Sequence, residues 1–282
     1  MDLSLDQARA LDALDRLGTF TRAAAELGRA HTSVLYLLRT LEDRLGLVLL
    51  DRTGYRTTLT PAGRRVLDGC RALLAAEAEL TATVAALRAG WEPALAVVFD
   101  GIVPIEPLLL AVGALAHERV PTRIDVRAEF LAGVEDGFVR SGADLMIAVL
   151  PPRLPGLTAV ALPTVHASLV AHRDHPLGRG RHGVAALRQH VLVTVRGSDP
   201  RLDLPTAGIE QGSTVHLNDF ASKRAAILAG IGFGWLPDAM IGDAPLVRVR
   251  WSGAATHRFH PRLYHRGHPG PAGRRLIAAL AG

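Results

Sequence analysis

The 282-residue sequence predicts an α+β protein of more than one domain: a small helical unit closed by a hairpin, one long helix, and a two-lobed α/β region. Three observations carry this. Gly18, Gly28 and Gly46 cut the N-terminal segment into short amphipathic runs. Thr60-Pro61 then opens an apolar 4-3 repeat that meets no further proline before Pro93. Beyond Gly90 the pattern alternates between β-prone runs and helical ones.

Ser4 with Gln7 three residues on forms a capping box, and Leu5, Ala8, Leu11, Leu14 and Leu17 make one helical face ending at Gly18. Thr21 is placed as the cap of a short second helix, Arg22–Leu27, stopped by Gly28. A third helix buries Val34, Leu38, Leu41 and Leu45 and stops at Gly46. Two short helices with a tight glycine-containing turn between them make a helix-turn-helix. Leu47–Leu50 and Arg56–Leu59 read as strands of a hairpin with a basic tip, a wing. Thr60 as cap and Pro61 in the first turn start the long helix, which runs to about Leu87. Its repeat, Val66, Cys70, Leu73, Glu77, Leu80, Val84 and Leu87, is apolar except at Glu77. A second copy of the helix is the simplest cover for such a seam, so these apolar positions are expected to dimerise.

The remainder reads as strands at Leu95–Phe99, Arg123–Phe130, Asp144–Leu150, Ala167–His172, Val191–Arg196, Thr214–Leu217, Leu246–Val249 and Phe259–Tyr264. Helices are expected at Pro107–Arg119, Gly133–Ser141, Asp219–Ala229 and Ala272–Ala279. Such alternation predicts mostly parallel sheets with helices on both faces.

Charge locates a polyanionic partner. The formal net charge is +5, and between Arg16 and Arg65 nine arginines face four acids, a local surplus of 9 − 4 = +5. Lys223 is the only lysine, which fits an arginine-rich genome as well as selection for phosphate. Cys70 is the only cysteine, so no internal disulfide exists, and at a seam position it reads as a buried small residue rather than a redox switch. The acidic, amphipathic N-terminus is no export signal, and Ile102–Ala116, broken by Pro104, Glu106 and Pro107, is too short to span a bilayer. The expected location is the cytoplasm, with no membrane partner.

The first part carries the motifs Thr19-Phe20-Thr21-Arg22-Ala23-Ala24, Leu41-Glu42, Leu45-Gly46, Leu49-Leu50-Asp51-Arg52 and Leu59-Thr60-Pro61-Ala62-Gly63. Together these resemble the DNA-binding part of the LysR-type transcriptional regulators. Further on, Ser141-Gly142-Ala143-Asp144-Leu145, His175-Pro176-Leu177 and Ala229-Gly230-Ile231-Gly232-Phe233-Gly234-Trp235-Leu236-Pro237 match more loosely. Tyr36, Thr53-Gly54-Tyr55-Arg56 and Gly90-Trp91-Glu92-Pro93 resemble the branch that includes allantoin-utilisation and aromatic- or quinol-responsive regulators. The resemblance implies a winged helix-turn-helix over 1–62, a linker and dimerisation helix over 63–90, and an effector domain over 91–282. The last is expected to resemble type 2 periplasmic binding proteins, lobe I taking about 91–163 and 256–282 and lobe II about 164–255. Where the family often has Ser-Gln-Pro-x-Val-Ser, this chain has Ala30-His31-Thr32-Ser33-Val34-Leu35, so Thr32 or Ser33 is expected to cap the third helix one turn later.

The partner so implied is double-stranded promoter DNA, bound by a homodimer and, by family analogy, a homotetramer. His31, Thr32, Ser33, Leu35, Tyr36 and Arg39 on the third helix are candidates to face a major groove. Leu35 fits a thymine methyl and Tyr36 a base or phosphate, the alternative for both being packing on a neighbouring helix. Thr21 and Arg22 are candidates for phosphate, as are Arg52, Thr53 and Arg56 at the wing. Val66, Cys70, Leu73, Leu80, Val84 and Leu87 are the dimerisation candidates.

The resemblance also implies a small-molecule effector, of unknown identity, held between the lobes where strand ends and helix N-termini converge. Candidates are Asp100, Gly101, Ile102 and Val103; Phe130, Leu131 and Ala132; Val149; Arg196, Gly197 and Ser198; and Asp219 with Phe220. Arg196 suits a carboxylate, Asp219 suits a helix cap better than a ligand, and Asp100 would either repel acids or bind an amine, leaving effector charge open. No cofactor or metal is expected. The histidine pairs His172/His175, His257/His260 and His265/His268 lack cysteine partners, and two of them fall in strand or strand-end segments. No phosphate loop or nucleophile elbow is present, so an enzyme is not expected. A solute-binding protein is the rival reading, and residues 1–87 argue against it.

Overall fold

The computed structural model describes residues 3–52, 57–131, 133–195, 209, 213–253 and 256–282. It forms two compact units, Met1–Ala85 and Ala86–Gly282.

In the first unit α1 is Leu5–Leu17, and both hydrogen bonds of the capping box form: Gln7 N–H to Ser4 Oγ at 3.2 Å and Ser4 N–H to Gln7 Oε1 at 3.0 Å. Gly18, at φ 72°, ends it in the left-handed region open to glycine. The second helix, α2 (Phe20–Glu26), is capped by Thr19, not Thr21. Gly18 ends α1 immediately before Thr19, whose extended backbone sets its hydroxyl to accept from Arg22 N–H at 3.3 Å; Thr21 lies inside α2. The third helix, α3, spans His31–Leu45, so neither Thr32 nor Ser33 caps it. Ala30 takes the extended cap conformation without a side-chain bond, and Ser33 N–H instead donates to the Ala30 carbonyl at 3.0 Å.

Ala8, Leu11, Leu14, Ala23, Val34, Leu38 and Leu41 interlock in one core with Leu49 and Leu50. The hairpin strands are shorter than predicted: β1 (Leu50–Asp51) pairs antiparallel with β2 (Thr58–Leu59). One carboxylate ties this hairpin to α3. Glu42 accepts from the backbone N–H groups of Leu49 and Leu50 at 2.8 and 3.0 Å, and from Arg52 at 2.8 Å.

Thr60 caps α4 (Pro61–Arg88), accepting from Gly63 N–H at 2.9 Å while donating to the Val48 carbonyl at 2.8 Å. A Cβ at Gly63 would stand 2.1 Å from the Leu49 carbonyl oxygen, so glycine alone fits there. The seam on α4 divides. Cys70 is buried in the core of this same unit, with Val66 packed against it, so these two cover their own chain rather than a second copy. Glu77 pairs with Arg9 at 2.7 Å. Leu73, Leu80, Val84 and Leu87 stay exposed, Leu80 by 63% and Leu87 by 60%.

The second unit contains two sheets. The first runs β4-β3-β5-β15-β6, formed by β3 (Ala94–Asp100), β4 (Arg123–Glu129), β5 (Leu145–Ala148), β6 (Leu157–Ala161) and β15 (Arg262–Arg266). The second runs β10-β9-β11-β7-β12 with β14 also on β7, formed by β7 (Val165–His172), β9 (Leu192–Val195), β10 (Thr214–Leu217), β11 (Phe233–Pro237), β12 (Leu246–Arg248) and β14 (Thr256–Phe259). A small parallel pair joins β8 (Arg181–His182) to β13 (Arg250–Trp251). Helices α5 (Glu106–His117), α6 (Gly133–Ser141), α7 (Val184–Leu187), α8 (Phe220–Leu228) and α9 (Pro271–Ala281) complete it.

Three sequence expectations change here. The sheets are mixed rather than mostly parallel, because β15 runs antiparallel to β5 and β6, and β7 is antiparallel to each of its partners. The single strand expected at Phe259–Tyr264 is two strands in different sheets, broken at His260-Pro261, where proline offers no N–H. Strand β14 therefore belongs with the second sheet, so the return into lobe I falls after residue 259, not at 256. Strands β6, β8, β11 and β13 were not anticipated; β11 is masked by Gly232 and Gly234, whose missing Cβ atoms let it lie against the Val191 and Val193 carbonyls. Glu92 closes the unit by accepting from Ala272 and Gly273 N–H at 3.1 and 2.7 Å, supplying the cap that Gly270 cannot. Among the described residues no helix is long and apolar enough to cross a membrane.

Replacing Glu42 by alanine strands the N–H of buried Leu49 and frees the wing from α3. The expected loss is about 2–4 kcal/mol of first-unit stability, read as a lower urea midpoint at unchanged slope.

Candidate functional site

The first candidate surface lies on α2 and α3. Val34, Leu38 and Leu41 point into the core, which leaves His31, Thr32, Tyr36 and Arg39 exposed on the other side. Tyr36 is 66% exposed, too open for the packing alternative. Leu35 is half-buried and absent from the core cluster, whereas the neighbouring Leu37 packs against it. Ser33 is half-buried. His31 is steadied by the Phe20 ring, 5.8 Å between centroids.

The arginine surplus is only partly free. Arg16 pairs with Asp12 and Glu26, Arg29 with Asp6, and Arg52 with Glu42. Among the described residues, Arg22, Arg39, Arg64 and Arg65 are exposed and hold no carboxylate. The net positive charge is thus concentrated on the starts of α2 and α4 and on the outer face of α3. Thr53 and Arg56 lie outside the described residues.

The second candidate site lies where the two sheets of the second unit meet. The effector candidates Ile102, Val103, Phe130, Leu131 and Val149 come from the first lobe, and Phe220 from the second. All enter one apolar cluster with Val193, Val195 and Leu236 of the second sheet. The structure therefore brings them together, but Ile102, Leu131 and Phe220 are buried against one another rather than lining open walls. The Phe130 and Phe220 rings stand 6.4 Å apart across this seam, and a Cβ at Gly101 would strike Phe130 at 2.2 Å. Leu131 holds φ 51°, a left-handed conformation that costs a leucine about 1–2 kcal/mol. Asp219 accepts from Ser222 N–H at 2.7 Å as the cap of α8. Ala132, Arg196, Gly197 and Ser198 lie outside the described residues.

Two ionisable groups are sealed near this seam. Asp100, 1% exposed at the end of β3, accepts from Ile102 N–H at 3.2 Å through Oδ1, while Oδ2 is buried with no partner. Burial pushes its carboxyl up to about 7, against the pull of the Ile102 and Leu131 backbone. Lys223 on α8 is also 1% exposed, packs its stem on Gly234, and sets its ammonium 5.4 Å from the Phe220 ring centre. Burial alone pulls it down to about 7. The sequence reading missed Lys223. Its signal was position: the one lysine of the chain stands between Phe220 and Ile227 on the buried stripe of its helix.

Beside the two chain crossings a further cavity of about 320 Å³ is lined by Phe99, Val103, Leu108, Ile147, Val165 and Pro261, among others. Its polar edge includes Asp238, which pairs with Arg248 at 3.3 Å through one carboxylate oxygen and leaves the other buried and unbonded.

Comparison with known proteins gives this arrangement its class. Residues 5–64 match the family model described as bacterial regulatory helix-turn-helix protein, lysR family, and residues 88–282 match the LysR substrate binding domain. The chain belongs to the LysR family and is a DNA-binding transcriptional regulator with a domain for a small-molecule effector. It is 30% identical over 247 residues to the probable HTH-type transcriptional regulator YhaJ of Escherichia coli, covering 85% of this chain and 82% of that one. It is 27% identical over 229 residues to the HTH-type transcriptional activator AllS of Klebsiella pneumoniae, covering 79% and 85%. In fold it is similar to the Corynebacterium glutamicum OxyR C206 mutant (TM-score 0.67, 20% identity, 100% of this chain and 91% of that one). It is also similar to full-length CbnR solved with its target DNA (0.53, 20%, 98% of each). These relatives span both parts and are regulators, which removes the solute-binding alternative.

Neutralising either buried charge should stabilise the ligand-free protein. Lys223 is held below its usual 10.5, so its penalty is complete below pH 7 and fades as the pH climbs toward 10.5. Lys223→Met should therefore raise the melting temperature by several degrees at pH 6, and by less at pH 9. Asp100 is held above its usual 3.8, so the benefit of Asp100→Asn should be absent at pH 4 and complete above pH 7. Melting curves of both variants at these pH values check the signs.

Proposed function

We propose that the outer face of α3 reads promoter DNA as one half of a symmetric pair, while the neighbouring arginines hold the backbone. The single observation that carries this is the arrangement on α3: His31, Thr32, Tyr36 and Arg39 open to solvent, and Leu35 outside the core. These groups suit base edges and a thymine methyl in a major groove. Arg22, beside Thr21 at the start of α2, suits a phosphate. Arg52 contributes with its charge already half-matched by Glu42. Thr53 and Arg56, outside the described residues, are proposed as further phosphate contacts on the strength of the sequence resemblance alone.

Dimerisation falls to the exposed part of α4. Leu73, Leu80, Val84 and Leu87 recur at 4-3 spacing and need a partner, and a second α4 supplies the same stripe. A pair of such dimers would make the tetramer of the family reading. The domain division proposed is 1–62, 63–90 and 91–282, with the effector between the lobes of the third part near Asp100, Gly101, Ile102, Val103, Phe130, Leu131, Val149 and Phe220. The protein so read is a cytoplasmic binding protein without catalysis or cofactor, whose effector biases lobe closure.

Binding to duplexes carrying the region upstream of its own gene tests the DNA face. Tyr36→Ala should lower affinity about tenfold on that duplex and barely change it on a random one. Arg39→Ala should weaken both alike and reduce the salt slope by about one. Equal losses for Tyr36→Ala on both duplexes would remove α3 as the reading element.

Sedimentation of Leu80→Glu tests the stripe. The expected outcome is a shift to smaller species with an unchanged circular dichroism spectrum. Retention of the wild-type assembly would place the interface elsewhere.

A further inference from the structure

The second unit buries two charges of opposite sign that form no ion pair: Asp100 in the first lobe, two residues before Ile102 of the interlobe cluster, and Lys223 in the second, beside Phe220 of that cluster. Among the described residues neither has an ion-pair partner. Among the described residues, other charges of the flanking segments are engaged: Asp219 with Ser222 N–H, Glu129 with Arg140, and the Arg224 guanidinium with the Met240 carbonyl. An apolar residue at either position would fold more stably, because a buried unpaired charge opposes folding. A structural ion pair would set the two groups in contact, which they are not. Asp100 keeps an orphaned Oδ2, and the one contact of the Lys223 ammonium among the described residues is the face of the Phe220 ring.

Direction matters as well. Helical side chains lean toward the helix N-terminus, and the N-terminal residue of α8, Phe220, stands 6.4 Å from the Phe130 ring of the first lobe. The Lys223 ammonium, near the Phe220 ring, therefore lies on the seam side of its own Cα. The cluster that includes Phe220 and follows Asp100 in the chain is apolar and aromatic, with Ile102, Phe130 and Leu131 from the first lobe.

We propose that the effector is a small zwitterion, an amine and a carboxylate on one apolar or aromatic frame, with its ammonium on Asp100 and its carboxylate on Lys223. This rests on the reading that the effector lies between the lobes. An amine alone would leave the buried lysine unmatched, and a carboxylate alone would leave the buried aspartate so; a ligand carrying both neutralises both walls. It also bridges the lobes, since Asp100 belongs to the first sheet and Lys223 to a helix of the second. The charge pair would thus be complete only when the lobes close on the ligand, which gives the effector a differential hold on the closed state.

Calorimetry on the full-length protein separates the parts with matched probes: phenylalanine as zwitterion, phenethylamine as amine, 3-phenylpropanoate as acid, together with leucine and 4-aminobutanoate. The expected result is that at least one zwitterion binds tenfold or more tightly than either singly charged probe. Asp100→Asn should weaken that zwitterion and the amine at least tenfold, sparing the acid. Lys223→Met should weaken the zwitterion and the acid at least tenfold, sparing the amine. Melting curves confirm that both variants fold. A singly charged probe binding as tightly as every zwitterion overturns the proposal, as do zwitterion affinities within twofold of wild type in both variants. So does the absence of heat for every zwitterion at 10-fold molar excess and millimolar concentration. Val149→Trp, which fills the seam at its rim, tells the two failures apart. If it abolishes binding of a singly charged probe, the interlobe site stands and only the zwitterion falls; if every bound probe survives it, the interlobe site falls too.

Discussion

The second unit depends on one constraint: two separate sheets must share a single buried seam, and the chain crosses between them only at 162–164 and 260–261. Everything at the candidate effector site follows from it. The loops after β3 and β4 must present Ile102 and Leu131 to the other lobe, so their apolar side chains are sealed there and Asp100 is drawn in with them. The left-handed backbone at Leu131 is a local strain of about 1–2 kcal/mol, offset by the contacts that residue gains in the seam. The 320 Å³ cavity lies beside the same crossings, so the packing that joins the lobes is incomplete on that side.

The first unit solves a different problem with less material. Its core is small, and among the described residues the hairpin adds two residue pairs. Glu42 compensates by fixing the hairpin to α3 with three charge-assisted hydrogen bonds, and glycine at 63 lets α4 press onto the Leu49 backbone. The outer face of α3 is consequently presented by a rigid frame. The same economy explains the arginines. Arg16, Arg29 and Arg52 brace the unit through Asp12, Glu26, Asp6 and Glu42, while among the described residues Arg22, Arg39, Arg64 and Arg65 hold no carboxylate.

The chain keeps stability in one place and forgoes it in another. Glu92, capping α9 from the opposite end of the unit, and Trp91, under the Arg275 guanidinium at 4.9 Å, hold the start of the unit to its end. Asp100 and Lys223, buried without a charge partner, oppose folding. That division is the usual one between parts that must persist and parts that must respond.

The sequence by itself determined the longer helices and their order, though not the four-residue α7, because 3.6-residue periodicity, capping residues and stop glycines act over a few neighbours. The capping box at Ser4, the Thr60-Pro61 start and the span Gly133–Ser141 were all legible in this way. It also placed on one seam most of the described residues proposed for the effector. Only the tertiary structure decided what depended on distant partners. Whether Thr19 or Thr21 capped α2 turned on where the preceding helix released the chain. Whether 259–264 was one strand or two turned on which sheet claimed each end. Val66 and Cys70 left the exposed stripe of α4 because the helical core reached them first. Lys223 was visible as a letter but not as a buried charge, since burial is fixed by the strands and helix that close over it, and those lie far along the chain.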